Sequence, residues 1–475
     1  MNKFILSILL GILFSQIENE KLYITIQMMD QVGVINTQNN QLENIVGIEM
    51  QDDDVNCMDY SDEISCNIEN DCEWMMGVCM DSMNNTNINT PHFIVMDEKL
   101  GYWFVTTIAS GYIAQYSLID NLLIDKYFVG DAPAILAIDI DRQKIYCSRM
   151  MPMNGMGDMM PSSESTTIQV LNYSSIGLSQ SNISEYNIDS PAPHGLAINS
   201  DGTEIYTASN TADWLYKINV ETGYIESSVM DFEVNNPPDQ VTQRLKPIQC
   251  VSIGNKLFVS CSAGVWYNPF NGENIVIPGF LQMWNSDSMT LIDSIEFEDF
   301  TGPWHIKESP ISNTIYVVLS GDNLYETEGL ASVDYTDNSL SLNWTTNNVL
   351  FDTLHGVDVS SDGQKIYVSG RGDGHIHIFN PSGEYLDSIF IGSMSMLGGI
   401  AIMKESFPQL GDSNNDDFLN IFDIILIVNH IILSMDSMSI QSPYPFYASD
   451  VNQDGIINIT DIVLLVSLII DSVSE

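Results

Sequence analysis

The sequence predicts a mainly β protein, a seven-bladed β-propeller closed by strands from both ends of the chain, followed by a small all-α domain. The main observation is a repeated phrase in which a His or a small residue precedes a short apolar strand, a turn and a second strand. The phrase begins near residues 92, 134, 194, 248, 305, 355 and 398. Two more alternating strands follow each complete copy. A unit of four antiparallel strands therefore recurs every 40 to 60 residues, roughly, which is typical of a propeller blade.

The second observation is how the ring closes. The seventh copy begins at 398–403 and then stops, whereas three strands near the start of the chain, at 22–28, 33–36 and 43–48, have no inner strand of their own. Pairing these segments completes a blade and leaves no exposed sheet edge. We therefore expect the propeller to span residues 21–405.

The clearest copy of the phrase indicates a family resemblance. The run PHGLAINSDGTEIY at 193–206 resembles the YVTN-type repeat of exported propellers. The resemblance implies the fold, but it does not indicate a particular ligand or activity because one fold supports many functions.

Charge and the first residues indicate where the protein works. The 475 residues include 15 Lys and Arg against 63 Asp and Glu, a formal net charge of -48. Such a field repels phosphate backbones and anionic lipids, which argues against nucleic-acid and membrane-surface binding. Residues 1–16 combine Lys3 with a short apolar run and predict a signal peptide. We expect a mature chain without a membrane span, secreted, at the cell surface or periplasmic.

The seven cysteines fit an oxidising compartment. An insertion at 49–90, between the last blade and the first, holds four of them, and two disulfides are favoured there over a zinc site: Cys57, Cys66, Cys72 and Cys79. Three pairings of these four are possible. Cys250 and Cys261 flank a turn and could bridge neighbouring strands. Cys147 has no predicted disulfide partner, and we expect it to be either buried or reactive.

Histidines recur at the start of the innermost strand in four blades: His92, His194, His305 and His355. The propeller should direct them to one mouth of its central channel, on the face that carries the insertions at 49–90, 150–166 and 262–279. Residues 150–166 are rich in Met, and imidazole with thioether ligands suits copper. The pattern predicts a transition-metal site there. The alternative is that these histidines only satisfy backbone groups.

An enzyme is the other interpretation of this face. The sequence has none of the common motifs for hydrolase nucleophiles, zinc proteases or phosphate loops. Some YVTN-like propellers resemble lactonases, whose sites use acidic and basic side chains at the channel mouth. Arg149, Arg371 and Asp373 lie in loops of this face, although a solvated loop would explain each of them as well.

Two loops near the C-terminus carry the most specific pattern. Each has oxygen-bearing side chains at positions 1, 3, 5, 9 and 12 and an apolar residue at 7, whose carbonyl can ligate: Asp412, Asn414, Asp416, Phe418, Asn420, Asp423 and Asp450, Asn452, Asp454, Ile456, Asn458, Asp461. Calcium takes six to eight oxygen ligands at such spacing. Position 6 is Gly455 in the second loop and Asp417 in the first. Because Asp adopts left-handed backbone geometry less readily than Gly, we expect loop one to bind calcium more weakly than loop two.

The duplicated loops resemble a dockerin type I module over residues 411–473. Each loop leads into an apolar helix, at 421–433 and 459–470, and we expect no helix before either loop. The resemblance implies two calcium ions and attachment to a cohesin-bearing protein outside the cell. It also implies partner contacts at loop positions 10 and 11, where cellulosomal dockerins often have small hydroxyl residues. This chain has Ile421-Phe422 and Ile459-Thr460 there instead.

Together these features predict a secreted, non-catalytic binding or scaffold protein. The propeller would bind a ligand at its loop-rich face, and the C-terminal module would attach the chain to an extracellular partner, for instance in a polysaccharide-related assembly. The alternative is a copper-dependent or lactonase-like enzyme carried on the same module.

Overall fold

The computed structural model describes most of the chain between residues 20 and 473. The described ranges are 20–50, 72–75, 78–81, 88–130, 132–149, 165–234, 236–268, 272–321, 325–347, 350–404, 408–416, 418–433 and 442–473. The predicted signal peptide, Cys57, Cys66, Asp417 and residues 150–164 of the Met-rich loop lie outside them. None of the helices in the described ranges is long and apolar enough to cross a bilayer.

Seven four-stranded antiparallel sheets form the predicted seven-bladed propeller. Three blades in the first half are continuous in sequence, with strands β6 (Pro91–Asp97), β7 (Tyr102–Thr107), β8 (Tyr112–Ser117), β9 (Leu123–Phe128); β10 (Pro133–Asp139), β11 (Lys144–Arg149), β12 (Thr167–Ser174), β13 (Gly177–Asn187); and β14 (Pro193–Ile198), β15 (Glu204–Ser209), β16 (Trp214–Asn219), β17 (Ile225–Val229).

Three further blades follow in the second half. Their strands are β18 (Pro247–Ile253), β19 (Lys256–Cys261), β22 (Phe280–Asn285), β23 (Thr290–Glu296); β24 (Pro303–Glu308), β25 (Thr314–Leu319), β26 (Gly329–Tyr335), β27 (Leu340–Asn347); and β28 (Leu354–Val359), β29 (Ile366–Gly370), β30 (His375–Phe379), β31 (Tyr385–Phe390). Two hairpins stand outside the blades: β4 (Cys72–Met75) with β5 (Val78–Asp81), and β20 (Gly264–Tyr267) with β21 (Asn274–Ile277).

The seventh blade joins the two ends of the propeller, as predicted. Its innermost strand is β32 (Leu397–Lys404), and the chain start supplies β1 (Glu20–Ile26), β2 (Gln31–Asn36) and β3 (Gln41–Gly47). Strand β1 pairs with β32 from Glu20–Lys404 to Ile26–Leu397. The first and last strands are therefore held together by a ladder along most of their length, with one register shift between Ile24 and Ile26.

Hydroxyl side chains connect neighbouring blades around the channel. Thr106 Oγ1 accepts a hydrogen bond from Phe93 N at 3.1 Å and donates to Ala134 O of the next blade at 2.9 Å. In another blade Ser369 Oγ accepts from Gly356 N and donates to Gly398 O, both at 2.7 Å. Each hydroxyl thus satisfies the irregular start of its own innermost strand and fixes the strand beside it.

The C-terminal domain consists of three helices and the two predicted loops. The helices are α1 (Ile421–Leu433), α2 (Pro443–Ser449) and α3 (Ile459–Val473). Helices α1 and α3 follow the loops, as predicted, and pack together through Ile427 and Leu465, both fully buried. Helix α2 ends one residue before the second loop, so the expectation that no helix precedes a loop was wrong for that loop.

Helix α2 anchors this domain on the propeller. Tyr444 is only 2% exposed and packs into the same apolar cluster as Trp103 and Leu118. Its backbone N donates to Leu100 O at 3.2 Å. The C-terminal end of α2 contacts both loops, because Ala448 O accepts from Gly411 N at 2.7 Å and Asp450, the first residue of loop two, follows directly. The helix therefore connects the loops to the propeller.

The predicted bridge between Cys250 and Cys261 is wrong. In the ladder of β18 and β19, Cys250 faces Val259 while Cys261 faces Pro247, so the two thiols are out of register. Both are free and buried, as is Cys147. Burial raises the pKa of Cys147 to about 12, which makes it a buried, unreactive thiol rather than a reactive one. For Cys72 and Cys79 the structure describes only the backbone, so the predicted disulfides of the insertion stay a prediction.

Candidate functional site

Three of the four predicted channel histidines pack against one another. The ring centroids of His92 and His355 lie 5.2 Å apart, those of His305 and His355 4.7 Å, and those of His92 and His305 6.4 Å. All three are at most 3% exposed. The fold brings them together because each stands at the start of an innermost strand, where seven strands converge on the channel.

His194 is used differently. Its Nδ1 donates to Ile248 O of the next blade at 2.6 Å. This is the backbone-satisfying role that the alternative interpretation predicts. His194 is buried like the others, at 1% exposure, but makes no ring contact with the cluster of His92, His305 and His355.

Burial keeps these imidazoles neutral. It lowers the pKa of His194 to about 4 and, together with the charge of His194, that of His305 to about 3. Burial and the neighbouring imidazoles also hold the pKa of His92 and His355 well below the ordinary value. Each ring therefore presents one N–H donor and one lone pair at neutral pH.

The lactonase-like interpretation named Arg149, Arg371 and Asp373, and two of these three residues have structural partners. Arg149 is buried at 1% exposure, and its guanidinium bonds Gly130 O at 2.7 Å and Thr167 Oγ1 at 3.2 Å, so it is a structural cation. Asp373 accepts from His377 Nε2 at 3.0 Å and from Asp352 N at 3.0 Å and organises its own turn. Arg371 is the exception, because its guanidinium makes no hydrogen bond or ion pair with any described residue.

A cavity of about 470 Å³ occupies the channel beyond the histidines. Its walls are the innermost strands, and it extends from His305 to a charged end formed by Glu98, Lys307 and Asp358. Lys307 Nζ lies 2.8 Å from Asp358 Oδ1, and this carboxylate raises the pKa of Lys307. Burial raises the pKa of Glu98. No sequence pattern predicted this end, because only the ring geometry brings strand ends of different blades together.

The first C-terminal loop gathers oxygen atoms around its own backbone. Asp416 N donates to Asp412 Oδ1 at 3.0 Å and to Asn414 Oδ1 at 3.1 Å. The carboxylate of Asp423, which is fully buried, accepts from Asn420 N at 2.9 Å and from Asn414 N at 3.3 Å. Position 12 therefore closes the loop onto positions 3 and 9.

The second loop repeats the same hydrogen bonds. Asp454 N donates to Asp450 Oδ1 at 3.1 Å and to Asn452 Oδ1 at 2.9 Å. The carboxylate of Asp461 accepts from Asn458 N at 2.8 Å and from Asn452 N at 3.1 Å. The two loops are thus built alike, 38 residues apart, as the alignment of Asp412 with Asp450 shows.

The donor set of the loops fits calcium. All candidate ligands are oxygens, including the carbonyls of Phe418 and Ile456, each of which accepts an Asn side-chain amide at 3.0 Å. Burial raises the pKa of Asp423, and the charges of Asp412 and Asp416 raise it further. A divalent cation would relieve this repulsion. Within the described ranges, no three His, Cys, Asp or Glu side chains are arranged to hold a metal ion.

Comparison with protein families decides the nature of this domain. The family model of the dockerin type I domain matches residues 410–470. Residues 410–470 form a dockerin type I domain. The predicted resemblance is confirmed, and dockerin domains bind calcium through loops of this kind.

Comparison with solved structures supports the propeller fold alone. A protein of unknown function from Desulfotomaculum acetoxidans aligns over 81% of this chain and 99% of its own, at 12% identity and a TM-score of 0.54. A proposed 6-phosphogluconolactonase from Bacteroides uniformis aligns over 81% and 100%, at 10% identity and 0.54. Hydrazine synthase of Kuenenia stuttgartiensis aligns over 70% and 99%, at 11% identity and 0.51. No curated protein matches the chain.

The dockerin exposes an apolar surface that its two repeats share. Position 7 of each loop is exposed, and so are apolar residues along the helix that follows it: Phe418, Ile421, Phe422, Ile425, Ile432 and Ile456, Ile459, Val463, Ile470. Ile421 and Phe422, at positions 10 and 11, are 58% and 63% exposed. Exposed apolar side chains in this number are typical of a protein-binding face.

Proposed function

We propose that this chain is a secreted, non-catalytic binding protein whose dockerin attaches it to a cohesin-bearing partner outside the cell. Attachment depends on calcium at both loops, because the loops fix α1 and α3, and these helices carry the exposed apolar face. The single observation that carries the proposal is the duplicated loop with identical hydrogen bonds in both copies, in a segment that matches the dockerin family.

Two calcium ions bind per chain in this proposal. Loop one uses Asp412, Asn414, Asp416, Phe418, Asn420 and Asp423, and loop two uses Asp450, Asn452, Asp454, Ile456, Asn458 and Asp461. Gly455 has φ +82, the left-handed geometry that position 6 needs, whereas loop one has Asp417 there. Loop one therefore has the lower affinity.

The partner is a cohesin whose binding face is apolar. Positions 10 and 11 supply Ile421, Phe422, Ile459 and Thr460, of which only Thr460 carries a hydroxyl. A cohesin that recognises small hydroxyl residues would leave these apolar side chains unmatched. Attachment to a polysaccharide-related assembly is consistent with this use of a dockerin.

The proposed domain organisation follows the order of these parts. Residues 1–16 are a signal peptide that is removed on export, residues 21–405 are an exported propeller of YVTN type with the insertion at 49–90, and residues 411–473 are the dockerin. The propeller binds a ligand at the face where the histidines lie. The mature chain is secreted, on the cell surface or periplasmic.

An enzyme at the same face is the second candidate. The observation in its favour is the close packing of the His92, His305 and His355 rings, which copper could exploit together with the Met-rich segment 150–166. His194 belonged to the predicted ligand set; its Nδ1 donates to Ile248 O, which leaves the lone pair on Nε2, but its ring does not contact the other three. A lactonase-like site would depend on Arg371, since Arg149 and Asp373 have structural partners.

Capture of partners tests the proposal. The purified chain is immobilised and exposed to the extracellular and cell-surface fractions of the source cells, with calcium and with a chelator. We expect a cohesin-containing protein to be retained only with calcium, and the Asp412→Ala/Asp450→Ala variant to lose it. Retention of the same proteins after chelation would contradict the calcium-dependent attachment.

A further inference from the structure

Five imidazole nitrogens in the channel are buried without a hydrogen-bond partner in the described part of the chain. They are Nε2 of His92, His194 and His305 and both ring nitrogens of His355. Leaving a buried polar atom unpaired destabilises a fold by about 1–3 kcal/mol. A concentration of such atoms at one place indicates a group that the channel binds.

The indole of Trp304 restricts what this group is. Its Nε1 is also buried and unpartnered, and its ring centroid lies 5.6 Å from that of His355. An indole N–H can only donate a hydrogen bond. The bound group must therefore carry an acceptor at this point, which a metal ion does not.

The tautomer of His92 supplies a second donor. Gln27 Nε2 lies 2.8 Å from His92 Nδ1, and in this orientation of the amide, which leaves Gln27 Oε1 without a partner, Nδ1 is the acceptor. The neutral ring then carries its hydrogen on Nε2, which is one of the unpartnered atoms. His92 and Trp304 both pack against the ring of His355, with ring centroids 5.2 Å and 5.6 Å from it.

Arg371 adds a positive charge beside these donors. Its backbone N donates to Thr353 O at 2.9 Å, which places it at the edge of the sheet where His355 begins its strand. The charge of Arg371 contributes to lowering the pKa of His92 and of His355, after burial and the neighbouring imidazoles. Its guanidinium is largely buried and has no ion pair among the described residues.

We propose that this cluster, Arg371 with Trp304, His92, His305 and His355, binds a singly charged oxyanion, the carboxylate of a small ligand. One guanidinium balances one negative charge, and the net charge of -48 disfavours a more highly charged anion. The guanidinium also repels a metal cation at the same place. The inference rests on the proposed ligand-binding face of the propeller and names the chemical class that this face takes.

Calorimetric titration of the calcium-loaded full chain tests the site. Acetate and glucuronate represent monocarboxylates, sulfate and phosphate represent other oxyanions, and Cu²⁺ represents the metal alternative, all at constant ionic strength. We expect the monocarboxylates to bind with saturation. Arg371→Gln should weaken their affinity at least about tenfold, and Trp304→Phe, which keeps an aromatic ring but removes the indole N–H, should weaken it severalfold.

Arg142→Gln is the matched control. Arg142 bonds Asp139 and Asp201 O at the turn after β10, at the opposite end of an innermost strand, and its loss should leave anion affinity unchanged. Three outcomes overturn the inference: no saturable binding of a monocarboxylate, equal affinity in Arg371→Gln, or tight Cu²⁺ binding with no anion binding. Tighter binding of sulfate or phosphate would overturn the choice of a singly charged ligand.

Failure of this inference is separable from failure of the proposed function. Arg371→Gln leaves the dockerin intact, so the variant should still be captured by the cohesin partner with calcium. Suppose that a ligand binds the Arg371→Gln variant and the parent chain with equal affinity. This result would still support a ligand-binding face on the propeller and would contradict only the carboxylate site.

Discussion

The ring of Tyr444 lies directly on Gly101, so that a Cβ placed on Gly101 would stand 2.6 Å from Tyr444 Cδ1. Gly101 has φ +85, in the turn between β6 and β7, and Tyr444 belongs to α2 of the dockerin. The contact joins the two domains of the chain at a place where only glycine leaves room for an aromatic ring. It positions the two loops of the dockerin relative to the propeller because α2 leads directly into loop two.

Gly101→Ala should therefore displace the dockerin from the propeller. The added methyl group meets the Tyr444 ring and strains a left-handed backbone, which together destabilise the contact by about 2–4 kcal/mol. Hydrogen–deuterium exchange of the peptide that contains Tyr444 should rise severalfold, since its N–H donates to Leu100 O across the interface.

Gly254→Ala is the control for backbone strain. Gly254 also has positive φ, +57, but its added Cβ would meet nothing within 4 Å. This variant should lose only about 1 kcal/mol and keep the exchange protection at Tyr444. Equal exchange at Tyr444 in Gly101→Ala and the parent chain would show that the contact does not hold the domains together.

Acid should destabilise the propeller through its buried histidines. His194 has a folded pKa of about 4, below the ordinary 6.5, so between these values the unfolded chain binds more protons. The stability contributed by its neutral ring is complete above about pH 6.5 and falls by about 2 kcal/mol by pH 5. Burial causes this lowered pKa, against the opposing effect of the hydrogen bond to Ile248 O.

His194→Gln removes one titrating group and keeps a side chain that can donate to Ile248 O. Melting temperatures in excess calcium should show a smaller difference between pH 7 and pH 5 for the variant than for the parent chain. An unchanged difference would mean that His194 is already protonated in the folded protein.

A thiol reagent should react with the three buried cysteines only after the chain is denatured. Cys147, Cys250 and Cys261 are free and buried, and burial raises the pKa of each. We expect none of the three to react with a thiol reagent in the folded chain, while all three react in denaturant without reductant. Peptide mapping identifies them, and a Cys250–Cys261 peptide linked by a disulfide would contradict the register of β18 and β19.

The repeat made the propeller predictable in detail. Seven copies of one phrase, with strands at 22–48 left over, predicted both the blade count and the closure that β1 and β32 form. The positions of the histidines within that phrase also placed them at one end of the channel. The repeated phrase could not predict the side-chain direction of each histidine. His194 was therefore grouped with His92, His305 and His355, although the His194 ring does not contact theirs.

Contacts between distant segments were beyond the sequence argument. Helix α2 was not predicted from the sequence, although Pro443 at its first position is compatible with a short helix. The packing of Tyr444 on Gly101 depends on the relative placement of two domains, which no local pattern encodes. Trp304 likewise becomes a neighbour of His355 only when two blades pack together, whereas Arg371 belongs to the same blade as His355.

Calcium titration of the full chain by calorimetry tests the central claim most directly. We expect two ions per chain, with the stronger site lost in Asp450→Ala and the weaker one in Asp412→Ala, and no binding in the double variant. The calcium-loaded parent should bind its cohesin partner, and the double variant should not. Full binding of the partner by a chain that takes up no calcium would contradict the account.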